Sequence, residues 1–362
     1  MSDQTLRDEL TALTCDLVAI PSIDTRPDAL RAVIDYAEQY ARAIDGLHIT
    51  AGEQAGKPYL IATLHDTRAP DLMLNAHLDV VPGRAEQFQP RIENGRIYGR
   101  ATQDMKGSGA VLLRLMKDLA TLDTPPNVGF MFVSDEEIGG EEGVGYLAEQ
   151  GWNCKLFIAA EPTDLQICYA HKGAMWVEVH FEGQPAHGSR PWEGRNVILD
   201  LRDGLVAMEE RFPNPTRDTW RTTVTPTIVQ GGEAGNRLPE NVVLTLDIRF
   251  VPEDQPDDIM AGLRECFPHA DVRLLRSGPP LDTDPEHPTV RRLAGVIADV
   301  TGAPAGFYHE HFATDARFYS VRGVPAVCVG PVGAGLHSDE EWVDIASLEQ
   351  LYEIFRRFAT QS

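Results

Sequence analysis

His77 and Asp79 leave the apolar run Leu72-Met73-Leu74 together, in the segment Asn75-Ala76-His77-Leu78-Asp79. A neutral imidazole nitrogen at position 77 can ligate a metal ion. A carboxylate two residues on, in the same strand direction, can accept the other ring N–H, which fixes the tautomer and raises ligand basicity. Asp104, the pair Glu136-Glu137, Glu161 and His337 follow, each beside its own strand or turn signal. Imidazole and several carboxylates gathered from the strand ends of one sheet make a donor set for two zinc-like divalent ions.

Each of these residues also has an ordinary structural reading. A single His after a strand is compatible with a packed histidine. Asp104 lies in Gly99-Arg100-Ala101-Thr102-Gln103-Asp104-Met105-Lys106-Gly107, just before a helical pattern. It could bridge two ions through its two oxygens or simply cap that helix, a position where Asp is favoured. Glu136-Glu137 follows a hydrophobic strand and precedes Gly139-Gly140. One glutamate could ligate while the other serves as general base on a water whose pKa a metal lowers towards roughly 7; alternatively the pair is a solvated acidic turn. Glu161 leaves a buried strand just before Pro162, where an unpaired carboxylate is costly. His337 sits in the turn-rich Gly333-Ala334-Gly335-Leu336-His337-Ser338-Asp339-Glu340. Together the candidates carry more weight, because ligands of such sheets collect at the carboxyl edge.

The elements that must position them can be read from periodicity. Apolar residues at helical spacing predict helices over 3–18 and 27–44, then strands over 47–52, 58–65 and 70–76. Val111, Leu112, Leu115, Met116 and Leu119 share one face of a helix beginning near Lys106-Gly107. Val128 to Val133 is a continuous apolar run suited to a central strand covered on both faces. A helix over 141–150 and a buried strand over 156–160 continue an α/β pattern. The texture changes near Met175, where residues alternate between faces as in a half-buried antiparallel strand. Further alternating runs at 223–230 and 242–250, helices at 196–212 and 254–267, and a strand at 270–275 follow. Helices at 287–300, 314–322 and 344–360, with a strand at 325–329, then resume the first pattern. The expected fold class is α/β: a helix-covered mixed sheet in a discontinuous catalytic domain (1–172 and 281–362), with an inserted two-layer α+β domain (173–280).

A chain of 362 residues exceeds what one core usually serves, in line with two domains. Its net charge of -23 argues against nucleic-acid binding and against docking on anionic membranes. An acidic protein that accepts an anionic substrate must concentrate positive charge locally, which draws attention to individual arginines. Cys15, Cys154, Cys168, Cys266 and Cys328 show no metal-finger or redox-motif spacing. The polar, acidic first ten residues are unlike a secretory leader, and a reducing cytoplasm is the expected location. No apolar run is long enough to span a bilayer.

The His-x-Asp, Gly-x-x-x-x-Asp-Met-Lys-Gly, Asp-Glu-Glu and Glu-Pro-Thr segments, in this order, resemble the dizinc amidohydrolase and exopeptidase family of acetylornithine deacetylase, succinyl-diaminopimelate desuccinylase, aminoacylase and carboxypeptidase G. The resemblance covers essentially the whole chain. It implies two divalent ions, zinc in the family, with cobalt and manganese suited to the same donors. One ion would be held by His77 and Glu161, the other by Glu137 and His337, with Asp104 bridging. Asp79 would orient His77, and Glu136 would be general base and later proton donor. A cis peptide after the bridging Asp is also implied, here Asp104-Met105. Ala101 stands where many relatives have Gly; both are small, and little consequence is expected.

The inserted domain resembles the family's lid and dimerisation domain, which implies a homodimer. His187, in Gly183-Gln184-Pro185-Ala186-His187-Gly188-Ser189, resembles the histidine that stabilises the oxyanion of the tetrahedral intermediate across subunits. Asn236 lies in a segment similar to a substrate-contacting loop, and Arg249 resembles an arginine that clamps a substrate carboxylate. Arg317 is a second clamp candidate, equally readable as a salt-bridge residue. The implied activity is metal-dependent hydrolysis of the amide bond of an N-acyl amino acid, with a dipeptidase or carboxypeptidase as the alternative. A non-catalytic relative is expected to have lost Glu136 or a ligand, and neither is lost.

Overall fold

The apolar runs at 72–77 and 128–133 form parallel neighbouring strands, Leu72–His77 and Val128–Val133, in the computed structural model, which describes residues 3–361. Met1 and Ser2, part of the polar N-terminal stretch, lie outside the described residues. Both strands are buried along their whole length. The cause is the period of two in a strand with both faces covered. Leu72, Leu74 and Ala76 enter one core with Leu10, Leu17, Leu112 and Leu348. Met73 points the other way, into a second core with Val144, Leu147 and Phe157.

The large mixed sheet runs in the order His48–Gln54, Lys57–Thr63, Val128–Val133, Leu72–His77, Leu156–Ala159, Ala326–Cys328, Ile167–His171, Leu281–Asp282, with Phe307–Glu310 also beside Ile167–His171. Its first core is closed by the helices Asp3–Val18, Pro27–Arg42, Gly107–Ala120, Pro288–Thr301 and Ile345–Thr360. Local chemistry sets their ends. Pro27 opens its helix where no intrahelical N–H is required. Asp344 caps the last helix by accepting from Ser347 N at 2.8 Å. Gly302 ends Pro288–Thr301 in the left-handed region at φ 74°.

The chain divides into two compact units: residues 1–170, 281–309 and 314–362, and residues 171–280 with 310–313. In the second, an antiparallel sheet runs Thr223–Gly231, Asn241–Phe250, Gly173–Glu182, Ala270–Gly278. Val177, Val179, Phe181, Leu244, Leu246 and Ile248 pack on Leu201, Met208, Ile259 and Leu263 of the helices Val197–Arg211 and Pro256–Cys266. This is the two-layer α+β arrangement expected of the insert. The short segment 310–313 joins it through Lys172 N, which donates to Glu310 O at 3.2 Å. The insert leaves the first unit after Ala170 and returns at Leu281; there, Thr283 N donates to Tyr169 O at 3.0 Å.

The helix expected over 141–150 forms as a wide helical turn, Glu141–Gly145, that continues into Tyr146–Glu149. Asp135 Oδ2 takes the N–H groups of Glu142 and Gly143 at 2.8 and 2.9 Å, satisfying the donors of the first turn from outside. A further small sheet, in the order Gly333–Ala334, Trp342–Asp344, Arg96–Tyr98, Arg91–Glu93, was not expected. Strands of two or three residues carry no readable period.

Candidate metal centre

Three parallel neighbours bring three donors to one sheet edge. Leu72–His77 lies between Val128–Val133 and Leu156–Ala159, so the chain segments leaving their carboxyl ends are adjacent. His77 is the last residue of its strand. Glu136 and Glu137 occupy the helical turn Glu136–Ile138 that follows the second strand, and Glu161 follows the third. Asp104 comes from the turn Thr102–Lys106, where its own backbone is non-helical (φ -121°, ψ 88°), and the Asp104–Met105 peptide is cis. His337 comes from the turn between two strands of the small sheet and has a left-handed backbone, φ 58°.

The two oxygens of Asp104 face different imidazoles. Oδ1 lies 3.1 Å from His77 Nε2, and Oδ2 lies 3.2 Å from His337 Nε2. Glu161 Oε2 is 3.9 Å from His77 Nε2, and Glu137 Oε2 is 3.5 Å from His337 Nε2. Two groups of donors result, His77 with Asp104 and Glu161, and Glu137 with Asp104 and His337, each with ligand atoms within 4.8 Å of one another. They share Asp104.

Charge explains why such a cluster fits cations. Burial pushes the Glu161 carboxyl well above the ordinary range, and the negative Asp104 and Glu136 add to this. Burial likewise raises Glu136 to about 8, opposed by His77 and reinforced by Glu137, Asp104 and Asp79. Burial raises Glu137, against a hydrogen bond from His337. Burial disfavours a charged His77, but hydrogen bonds to Asp104 and Asp79 hold its pKa well above the usual value. Hydrogen bonds to Asp104 and Glu137 push His337 up to about 10. Burial works against ionised Asp104 too, yet the two imidazoles keep it well below the usual carboxylate range. Without cations the cluster retains protons to moderate its negative charge; divalent ions neutralise it without them. The donors are oxygen and nitrogen only, a set suited to zinc, cobalt or manganese.

Asp79 does more than the sequence indicated. His77 Nδ1 is 3.0 Å from the Asp79 backbone oxygen and 3.5 Å from its Oδ1. The same carboxylate accepts from Glu136 N at 3.3 Å and Glu137 N at 3.0 Å, so it also sets the glutamate turn. Arg317 is buried. Its Nη1 donates to Thr314 O at 3.1 Å and its Nη2 to Gly139 O, at the end of that turn. Asp315 beside it is fully buried, and neither side-chain oxygen has a hydrogen-bond partner. Lys106, also fully buried, donates from Nζ to Leu17 O at 3.0 Å and Ile20 O at 2.6 Å, fastening the turn of Asp104 to the first helix. Neither Asp315 nor Lys106 has a sequence signal of this kind of role.

Ala101 corrects an expectation. Its φ is 63°, in the left-handed region, so the contrast with Gly concerns backbone freedom, not size. A Cβ there costs about 1 kcal/mol.

The other candidates belong to the second unit. His187 and Arg237 form an isolated bridge, and Gly188 N donates to Asn236 O at 2.7 Å, so the segments of His187 and Asn236 run side by side. His187 Nδ1 is 2.8 Å from Ser189 Oγ. Arg249 makes a two-pronged contact with Asp247 at 2.8 and 3.0 Å, with its guanidinium 5.1 Å from the Trp176 ring.

The sequence model described as Peptidase family M20/M25/M40 matches residues 73–361. A succinyl-diaminopimelate desuccinylase of Xanthomonas campestris pv. campestris (strain B100) is 28% identical, over 96% of this chain and 97% of the relative. One from Xylella fastidiosa (strain 9a5c) is 27% identical over the same shares. Among solved structures, the aminopeptidase PepT from Bacillus cereus superposes with a TM-score of 0.81 at 19% identity, covering 98% of each chain. A metallo-carboxypeptidase from Sulfolobus solfataricus gives 0.79 at 18% identity, over 97% of this chain and 98% of that one. At those identities the likeness is one of fold.

Proposed function

The chain belongs to peptidase family M20/M25/M40, and on that premise we propose that it hydrolyses the amide bond of an N-acyl amino acid, as a deacylase of the desuccinylase or deacetylase type. Full-length similarity to succinyl-diaminopimelate desuccinylases supports the substrate class. The observation that carries the reaction type is the sharing of Asp104, whose two oxygens face His77 and His337 separately. His77, Asp104, Glu161, Glu137 and His337 are the proposed ligands. Divalent cations held there supply a Lewis acid for the scissile carbonyl and acidify water towards a pKa of roughly 7.

The remaining chemistry belongs to side chains. Glu136 takes the proton of the attacking water and returns it to the leaving amine, a role that suits a carboxyl raised by burial. Asp79 fixes the His77 ring and the backbone of Glu136 and Glu137. His187, Asn236, Arg249 and Arg317 are assigned to the substrate side by motif resemblance. Zinc as the resident metal, a homodimeric assembly and a cytoplasmic location complete the proposal.

A panel of N-succinyl and N-acetyl amino acids and unmodified dipeptides, run with zinc, cobalt and manganese, tests the reading. Acyl amino acids should be cleaved with the highest kcat/KM. A clear preference for dipeptides would move the assignment to a dipeptidase or carboxypeptidase. No amide hydrolysis with any metal would remove it.

A further inference from the structure

We propose that Arg100 and Glu341, a buried ion pair outside the ligand set, are positioning residues that lock the Asp104 turn to the His337 turn and thereby set the geometry of the second cation position. This rests on the ligand assignment above. Glu341 is 1% exposed and Arg100 is 3% exposed, so both are removed from solvent. Glu341 spends both oxygens on the turn that carries Asp104. Oε1 accepts from Gln103 N at 3.1 Å and Asp104 N at 3.2 Å; Oε2 accepts from Ala101 N at 3.0 Å and Arg100 Nη1 at 2.9 Å. One carboxylate thus collects the amides of a turn whose backbone leaves helical geometry at Asp104 and Met105.

Arg100 completes the link from the other side. Nη1 also donates to Ser338 O at 3.1 Å, and Nη2 to His337 O at 3.4 Å and Pro82 O at 3.4 Å. Gln87 Nε2 donates to the same Ser338 carbonyl at 3.1 Å. His337 has a left-handed backbone, so its ring position depends on what holds that turn. The small sheet delivers Glu341 to the site. Trp342 pairs with Tyr98, and Gly99 N donates to Glu341 O at 3.1 Å, fixing the strand leading to Asp104 against the strand leaving His337. Asp104 and His337 are 233 residues apart, and this pair spans the gap.

The consequence is greatest at the position formed by Asp104, Glu137 and His337, where the pair holds the turns of two ligands; the other position shares only Asp104. His77 and Glu161 are placed by the large sheet and keep their positions without the pair. Glu341→Gln retains shape, but its amide NH₂ cannot accept hydrogen bonds, so the donors bonded to one of the two oxygens lose their acceptor. Arg100→Lys leaves a cation for Glu341 but lacks the planar fork needed to reach the carbonyls of 337 and 338 together. Supporting contacts around ligands are typically worth about 10–100-fold in metal affinity.

The test titrates the metal-free full-length protein with Co(II) or zinc, following heat and the Co(II) absorption spectrum, with no substrate present. Expected in Arg100→Lys is one binding event weakened by about 10-fold or more with an altered second-equivalent spectrum, and the other within about threefold of the original; Glu341→Gln, which loosens the shared Asp104, weakens the same event by about 10-fold or more and the other by less. Tyr352→Phe, which deletes the hydroxyl bonded to Asp118 Oδ2 at 2.5 Å on distant helices, serves as a control for stability loss alone. Unchanged second-equivalent affinity in folded Arg100→Lys would overturn the proposal, even if Glu341→Gln fails to fold. Equal weakening of both events in Arg100→Lys would overturn it too. An original protein that binds no divalent cation would instead remove the ligand assignment itself.

Discussion

Replacing Glu136 by Gln should nearly silence the enzyme while leaving its metal content intact. The backbone of residue 136 is held through its N–H, which donates to Asp79 Oδ1 at 3.3 Å, and Glu137 N is held likewise at 3.0 Å. An amide side chain disturbs neither bond and fills the same volume, so the turn and the ligand Glu137 stay in place. What disappears is a carboxylate able to accept a proton. General-base assistance typically contributes 10²–10⁴-fold, and at about 1.36 kcal/mol per decade this corresponds to roughly 2.7–5.4 kcal/mol of barrier. Steady-state kinetics on the best substrate of the panel should show kcat reduced at least about 100-fold with KM within about threefold. Elemental analysis of the same sample should match the unaltered protein. A kcat within tenfold at equal metal content would refute the base assignment. Loss of metal along with activity would refute the division of labour between Glu136 and Glu137.

Two further substitutions probe the frame of the site. Ala101→Gly relieves a left-handed alanine at φ 63° but adds freedom to the unfolded chain; a net gain of about 0.5 kcal/mol is expected in denaturant unfolding, and a loss of stability would contradict the backbone account. Asp315→Asn should stabilise the metal-free protein in a pH-dependent way. Burial, with the negative Glu136 and Asp135, raises the Asp315 carboxyl well above its ordinary value, partly offset by Arg317. A carboxyl raised on folding contributes stability that is fully present below its unfolded pKa of roughly 4 and is lost as pH rises through the folded value. The variant's advantage should therefore be absent near pH 4 and reach about 2 °C or more in Tm at pH 8; an advantage independent of pH would sink it.

The main elements were legible because their hydrophobic period is strong. Val128 to Val133 and Leu72 to Leu74 are apolar without interruption, as doubly covered strands must be, and the residues that leave them are therefore conspicuous. That is why His77, Glu136, Glu137 and Glu161 could be picked out. Asp104 and His337 sit on no periodic element; turn signals singled them out, and motif resemblance gave them their roles. What remained hidden shares one cause: it depends on long-range backbone contacts. Glu341 is one acid in the run Asp339-Glu340-Glu341, and only pairing between Trp342 and Tyr98 separates it from its exposed neighbours. Arg100 looked like spacing within a motif. The left-handed backbone of Ala101 has no counterpart in side-chain size. The helix over 141–150 was legible, but what holds its start was not: Asp135, an acid outside it, takes the amides of its first turn.

Tyr169 and Thr283 meet through one backbone hydrogen bond at the doorway of the insert. Strands that close can be joined by a turn of about two residues. The stretch between them can thus be exchanged for a short turn without a gap to bridge. Such a splice removes His187, Asn236 and Arg249 at once and leaves residues 310–313 without the unit they belong to, so it separates what the strands of His77 and Glu161 do alone from what the insert adds.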